Sequence, residues 1–326
     1  MEKAILVTGG AGFIGSNFIR HMLKKYPNCK IVNLDKLTYA GNLDNLRDVE
    51  KNKNYSFVEG DICDKGVVAK LVKGADIVVN FAAETHVDRS ITGAGVFVQT
   101  NVFGTYVLLQ AAKEFKIEKF VQVSTDEVYG SIGRGSFKET DMLKPSSPYS
   151  ASKAGADMLA ASYHTTFDLP TIITRSSNNF GPYQYPEKLI PLFVTNLIEG
   201  KKVPLYGDGS NVRDWLYVVD NCEAIDFAMH NGKDGEIYNV ASGNEKTNLE
   251  ITKTILGLLG KDESWIEHVK DRPGHDRRYS LDFRKIKSLG WKPRYDFGEA
   301  IKLTIEWYES NERWWRKLKA QAKTSK

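Results

Sequence analysis

Cysteine is scarce: Cys29, Cys63 and Cys222 are the only three in 326 residues, and they lie far apart. No Cys-x-x-Cys occurs, which excludes a disulfide framework and a cysteine-rich zinc site. The six histidines show no metal-ligand spacing either, so no metal is expected. No apolar run approaches the ~18 residues of a membrane span, and the opening Met1-Glu2-Lys3-Ala4-Ile5 lacks the layout of a secretory signal. Charge of one sign does not dominate: 45 Lys and Arg against 41 Asp and Glu leave +4. Without a concentrated lysine/arginine stripe, nothing points to nucleic acid. Repeats, low-complexity tracts and long linkers are also missing. At 41% hydrophobic residues and low net charge, disorder is excluded as the main state. The absences leave a globular, cytoplasmic protein without membrane or nucleic-acid partners as the expectation.

Short apolar runs alternate with helical patterns through the first 175 or so residues, the signature of βαβ units and a parallel sheet. The runs are Ala4–Thr8, Lys30–Leu34, Tyr55–Val58, Ile77–Phe81, Phe120–Ser124 and Thr171–Arg175. Several are apolar throughout, as strands covered on both faces must be. Helices are predicted at Phe13–Lys25, Lys65–Leu71, Val96–Phe115 and Ser150–Phe167. Beyond residue 176 the pattern is less regular. Gly207-Asp208-Gly209 marks a turn, Trp215–Val219 a strand, and Asp220–His230 a helix opened by its Asp cap. Asn248–Leu259 and Phe297–Glu309 complete the predicted helices. The Trp314-Trp315-Arg316-Lys317 stretch reads as the frayed end of a terminal helix. Residues 1–176 and 177–326 are the expected domains, packed directly because no linker separates them.

Gly9-Gly10-Ala11-Gly12-Phe13-Ile14-Gly15 follows the first strand and opens the first helix. Glycines 9, 12 and 15 permit a sharp turn, close approach to a pyrophosphate and tight helix–strand packing, while the helix N-terminus offers amide donors. Asp35 ends the second strand 20 residues beyond Gly15, where a carboxylate meets ribose hydroxyls. The expected fold is therefore α/β, a doubly wound parallel Rossmann sheet with a smaller mixed α/β substrate-binding C-terminal region. Asp35 would repel a 2′-phosphate, which favours NAD over NADP; Lys36 tempers that preference.

Tyr149 and Lys153 are four apart and share a helix face. A phenol of pKa ~10 is a poor base at neutral pH, but a neighbouring ammonium favours the phenolate. Thr125 supplies a hydroxyl near by in sequence to the fifth strand's end. Oxidation of an alcohol needs no more than these groups. Asp126 and Glu127 add two acids at the same point, the means for a second proton transfer in which one carboxyl donates and the other accepts. Read alone, two adjacent acids also fit a loop cap or surface charge.

The glycine spacing is that of the short-chain dehydrogenase/reductase superfamily, in its extended nucleotide-sugar branch. Nearly end to end, the chain resembles the dTDP-glucose 4,6-dehydratases. The resemblance is carried by Thr8–Gly15, Asp35–Gly41, Phe81–Ser90, Val123–Gly130, Tyr149–Lys153, Asn178–Tyr183, Arg213–Val218 and Arg272–Tyr279. The Thr-Asp-Glu triplet discriminates, since similar epimerases lack the acid pair. What the resemblance implies is a hydro-lyase with retained NAD and no net redox change. Tyr149 accepts the 4-hydroxyl proton as C4 is oxidised, Glu127 abstracts the acidified C5 hydrogen, and Asp126 protonates the departing 6-hydroxyl. It further implies NAD contacts from Phe13, Ile14, Lys36, Leu37, Thr38, Asp61, Ile62, Phe81, Ala82, Ala83, Thr100 and Asn179. For the nucleotide sugar, dTDP-glucose, it implies Thr85, Asn178, Lys188, Leu189, Pro204, Leu205, Tyr206, Arg213, Asn248, Arg272 and His275. A homodimer through two long helices per subunit is likewise implied. Thymine and uracil are not distinguished by these residues, so a UDP-sugar dehydratase or epimerase stays open. A non-catalytic dinucleotide sensor would require a damaged catalytic set, and this set is complete.

Overall fold

The apolar runs become the strands β1 (Ala4–Thr8), β2 (Lys30–Asp35), β3 (Tyr55–Glu59), β4 (Ile77–Asn80), β5 (Lys119–Thr125) and β6 (Thr171–Ser176), each within a residue or so of its predicted limits. A seventh, β7 (Ile237–Val240), comes from the irregular half and pairs with β6. The sheet order is β7-β6-β5-β4-β1-β2-β3, with every pairing parallel. This computed structural model describes residues 2–271 and 276–324. Arg272 and His275, expected at the nucleotide, lie outside the described residues.

Both faces of the sheet are covered, which is why β4 and β6 are buried at every position. The helices Phe13–Lys25 and Val218–Asn231 close one face, where Phe18, Ile19, Met22, Cys222 and Ile225 pack on Ile5, Val7 and Val79. On the other, Lys65–Val72, Thr105–Glu114 and Pro148–Phe167 bury Val68, Leu108 and Ala160 against Leu6, Val78 and Phe120. Each such side chain withdrawn from water contributes ~1.5–3 kcal/mol. A second lobe forms around Val212–Tyr217, paired with Asn178–Phe180 and Glu245–Thr247. Its core holds Phe180, Trp215, Ile255, Ile301, Tyr308 and Trp315.

Three expectations are corrected. Residues 96–115 do not form one regular helix: Ala94–Phe97 and Thr105–Glu114 are α-helical, with a π-helical turn, Val98–Gly104, between them. The wider turn carries Asn101 inward. Its side chain accepts the Glu84 amide at 2.8 Å and donates to the Glu84 carbonyl at 3.1 Å and the Ser152 hydroxyl at 2.8 Å. Such insertions cluster at functional sites, and this one ties residues 81–90 to the helix bearing Tyr149. Asp220 is not a cap. The helix begins at Val218, and the Asp220 carboxylate accepts the amides of Arg294 and Tyr295 at 2.9 and 3.2 Å. Nor does the tail fray at the tryptophans: Glu312–Thr324 is helical, and Trp315 is wholly buried, its Nε1 donating to the Tyr308 carbonyl at 2.8 Å.

Away from the site, Asp226 joins the two helices of the first face. Its buried carboxylate takes His21 Nε2 at 2.8 Å, Lys25 Nζ at 2.7 Å and His230 Nδ1 at 2.9 Å. Burial alone would raise the Asp226 pKa, but these donors prevail and hold it far below the carboxylate range. The hydrogen bond to Asp226 raises the His230 pKa. By linkage, the lowered carboxyl stabilises the fold above pH ~4, and the raised imidazole stabilises it below pH ~6.5. Asp226→Asn is therefore expected to cost about 2–4 kcal/mol near pH 6. Denaturant titration should also show wild-type stability falling below pH ~4 and above pH ~6.5, and both of these limbs flattened in the variant.

Candidate active site

The strand order turns between β1 and β4, and loops at their carboxyl ends diverge there to open a crevice. Gly9, with φ of 69°, begins the turn out of β1. A Cβ on Gly9 would lie 2.6 Å from the Ala82 amide nitrogen, and one on Gly15 would lie 2.4 Å from the Gly9 carbonyl, so neither position admits a side chain. At Gly12 a Cβ would meet only the Gly9 carbonyl, at 3.2 Å. Gly12 is thus the glycine whose free side faces the crevice, where a pyrophosphate can approach the first amides of the helix. Asp35 braces the turn: its carboxylate accepts the Ala11 amide at 2.9 Å and the Leu37 amide at 2.8 Å. Burial pushes its pKa up against the pull of those amides.

A cavity of about 340 Å³ runs from this loop across the ends of β2, β3, β4 and β5 into the second lobe. It gathers Gly9, Gly12, Phe13, Ile14, Gly15, Asp35, Lys36, Thr38, Asp61, Ile62, Phe81, Ala82, Ala83 and Thr100 along one stretch. Thr85, Thr125, Asp126, Glu127, Tyr149, Lys153, Asn178, Asn179 and Lys188 line the other. Lys36 Nζ reaches Asp61 at 2.7 Å. Although burial opposes it, this bridge together with the Cys63 amide holds the Asp61 carboxyl below its usual range. Buried polar atoms on the cavity wall without a hydrogen bond to the described residues include Asp126 Oδ2, Asn178 Oδ1, Asn179 Oδ1 and Gln184 Oε1. Unsatisfied acceptors at such depth fit a ligand bearing many hydroxyl and amide donors.

Thr125 is the last residue of β5, and its hydroxyl accepts the Glu127 amide at 3.3 Å, starting the short 3-10 turn Asp126–Tyr129. That turn places both acids at the mouth of the sheet. Opposite them, Ser147 and Ser150 form a capping box and Pro148 occupies the first turn, so the helix Pro148–Phe167 starts with Tyr149 in the cavity wall. Asp126 is almost completely buried. Its carboxyl pKa is pushed up to about 8, by burial first and by the Glu127 charge second, with Arg213 pulling against them. It is therefore protonated at neutral pH and can donate.

The lysine does not behave as expected. Lys153 Nζ donates to the Val123 carbonyl at 2.7 Å, and burial lowers its pKa to about 8, against the Asp157 charge one turn on. The Tyr149 phenol lies well above its ordinary pKa, through burial and then the charges of Glu127 and Asp126, eased by a hydrogen bond with Thr125. Burial and these charges thus favour the protonated phenol, and the phenolate expected from the sequence depends also on the positive charge of a bound nicotinamide ring.

Some predicted residues are not brought to the cavity wall. Leu37 turns away at φ 54°, contributing its amide to Asp35. Leu205 is buried under Gly209, and Leu189 packs on the second core. Pro204 and Tyr206 share the strand Val203–Tyr206 with Leu205, and Asn248 opens a helix beside Asn211. Arg213 stacks 4.2 Å from the Tyr279 ring centroid and donates to the Asp276 carbonyl at 2.9 Å, yet its charge reaches Asp126. Conversely, Tyr39, Glu84, Tyr185 and Glu187 line the cavity without having been singled out. The Tyr39 hydroxyl is 3.2 Å from Thr85 Oγ1, and Arg89 lies 3.7 Å over the Tyr39 ring. The only sequence signal for them is the tyrosine-rich run around Tyr183 and Tyr185 and their place beside the motifs.

A family model described as GDP-mannose 4,6 dehydratase matches residues 6–304. The low-salt glycan biosynthesis protein Agl12 of Haloferax volcanii is 55% identical across 93% of this chain and 98% of its own length. A dTDP-glucose 4,6-dehydratase of Streptomyces niveus is 51% identical across 97% of this chain and 96% of its own. The crystal structure of DesIV, a dTDP-glucose 4,6-dehydratase from Streptomyces venezuelae with NAD bound, has a TM-score of 0.94 at 52% identity, covering 97% of this chain and 99% of that one. Likeness of this extent runs through both lobes, well beyond the glycine loop that many nucleotide-binding proteins share. The chain belongs to the GDP-mannose 4,6 dehydratase family and, within it, to the dTDP-glucose 4,6-dehydratases.

Proposed function

We propose that this protein is a hydro-lyase converting dTDP-glucose to its 4-keto-6-deoxy product with NAD held in the crevice. The observation that carries the reading is the pairing of a buried, protonated Asp126 with Glu127 in the cavity that also holds Tyr149 and the glycine loop. Gly12, Asp35 and Asp61 would hold the dinucleotide. Bound NAD would supply a two-electron acceptor for the C4 hydride and a donor of that hydride to C6, with C5 reprotonated by Glu127 as the hydride arrives. Thr125 holds the 4-oxygen while Tyr149 takes its proton. Once C4 is a ketone the C5 hydrogen is acidic, and Glu127 removes it. Asp126 gives its proton to the 6-hydroxyl, which leaves as water. An ordinary alcohol oxidiser has no use for the last two groups.

Residues 1–176 together with β7 serve the dinucleotide in this reading, and the remainder of 177–326 serves the nucleotide sugar. The second subunit of a homodimer would cover Ile91, Val96, Val98 and Met158, large apolar side chains left exposed on the helices around residues 87–104 and 148–167. A cytoplasmic location is supported by three free cysteines whose thiol pKa values burial raises. Among the described residues no helix is long and apolar enough to cross a membrane.

Glu127→Gln incubated with dTDP-glucose is expected to accumulate NADH absorbance without keto-deoxy product, because oxidation proceeds and C5 deprotonation does not. Tyr149→Phe should show neither. Normal product from Glu127→Gln, or equal turnover of UDP-glucose by wild type, would defeat the assignment. The pH profile supplies a second check. Asp126 donates only while protonated, so the elimination step should be level up to about pH 7 and fall about tenfold per pH unit above about 8. An Asp126→Asn variant should lose that limb in stopped-flow measurements of the elimination step.

A further inference from the structure

A buried side chain, Asn45, connects the C-terminal helix to the glycine loop. Asn45 belongs to the 3-10 turn Leu43–Leu46, just after the segment that lines the cavity, and is 2% exposed. Its Nδ2 donates to the Ala11 carbonyl at 2.8 Å, and the Asn42 amide donates to the same carbonyl at 3.0 Å. The Ala11 amide is already committed to Asp35. Both polar groups of the peptide residue between Gly10 and Gly12 are therefore fixed from the second-strand side. The remaining end of Asn45, Oδ1, accepts Trp314 Nε1 at 2.9 Å.

Trp314 is itself held. It meets Tyr183 edge to face at 5.9 Å and Trp307 at 5.1 Å, and Tyr183 lies under the Arg20 guanidinium at 4.0 Å. Tyr183 adopts φ of 67°, a left-handed conformation that a tyrosine keeps only when its surroundings enforce it. Next to it in the helix, Trp315 is anchored in the second core, so the position of Trp314 is set by the second lobe. The accompanying Lys317–Asp44 pair at 3.1 Å is solvent-exposed and contributes little.

We infer that Trp314 is a positioning residue for the dinucleotide: through Asn45 it orients the Ala11 carbonyl, and so the Gly12 amide of the same peptide plane, and thereby slows release of NAD from the glycine loop. The inference rests on the assignment of NAD to the crevice. A catalyst that oxidises and re-reduces the same sugar gains from keeping its dinucleotide between the two events, and a latch reaching across both lobes serves that end.

The test uses full-length holoenzyme loaded with radiolabelled NAD and chased with unlabelled NAD. Trp314→Phe keeps the aromatic packing and removes only the donor, leaving Asn45 Oδ1 buried without a partner. Release should be about fivefold faster, the size of one hydrogen bond. Asn45→Ala should release NAD at least as fast, and the Trp314→Phe/Asn45→Ala double variant no faster than Asn45→Ala alone, because both act through one contact. Release from Trp314→Phe at the wild-type rate, with only a lowered unfolding temperature, would reduce Trp314 to a packing residue. Additive effects in the double variant would also overturn the inference. A wild-type protein that retains no NAD would overturn it together with the functional reading.

Discussion

Burying a carboxyl beside another carboxyl is costly for the charged form, and at Asp126 that cost is directed to a purpose. Withdrawn from water and facing the Glu127 charge, Asp126 keeps its proton to about pH 8, while Arg213 limits how far the shift goes. A neutral acid next to a second carboxyl is the arrangement that lets one group donate as the other accepts. The same burial and the same two acids hold Tyr149 as a phenol. The resting site is thus protonated at both Asp126 and Tyr149. Tyr149 can take the 4-hydroxyl proton only once it has lost its own, so its deprotonation must precede hydride transfer, and the positive nicotinamide ring of bound NAD would favour that loss against the two acids.

That site needs rigid walls, and a buried network supplies them. Arg175 on β6 donates to Asp157 at 2.9 Å and to the Tyr129 hydroxyl at 2.8 Å. Tyr129 donates to Asn239 Oδ1 at 2.9 Å, and the Asn239 amide reaches Glu139 at 2.9 Å. Asp157 lies two helical turns beyond Tyr149 and one beyond Lys153. One chain of contacts therefore links the catalytic helix, the turn carrying the acid pair, and strands β6 and β7. Breaking a buried ion pair of this kind leaves an uncompensated charge, so the geometry of helix against strand is strongly specified.

How much of this could be read from the sequence follows from where the information is local. Strands β1 to β6 and the helix Phe13–Lys25 are marked by short apolar runs and by glycines whose spacing has a steric reason, and the structure places them as expected. β7 escaped notice because Ile237–Val240 is four residues long and is defined only by its pairing with β6. The π-helical turn was invisible because no sequence period announces it; its cause is Asn101 reaching Glu84 and Ser152. Trp314 and Trp315 looked like a fraying end because a helix so rich in charge gains its stability from partners outside it, Asn45 and Tyr308. Thr125, Asp126, Glu127 and Tyr149 were all placed in one cavity by their motifs. The state of Lys153, bound to the Val123 carbonyl, could not be read from a spacing of four.

The decisive quantity is the protonation of Asp126 in the folded protein. Infrared difference spectra of wild type against Asp126→Asn, recorded as pH is raised from 6 to 9, report it directly through the carbonyl stretch of a neutral carboxyl. The account requires that band at neutral pH and its replacement by a carboxylate signal near pH 8. A carboxylate already present at pH 6 would contradict it, since a group without a proton cannot release the 6-hydroxyl as water.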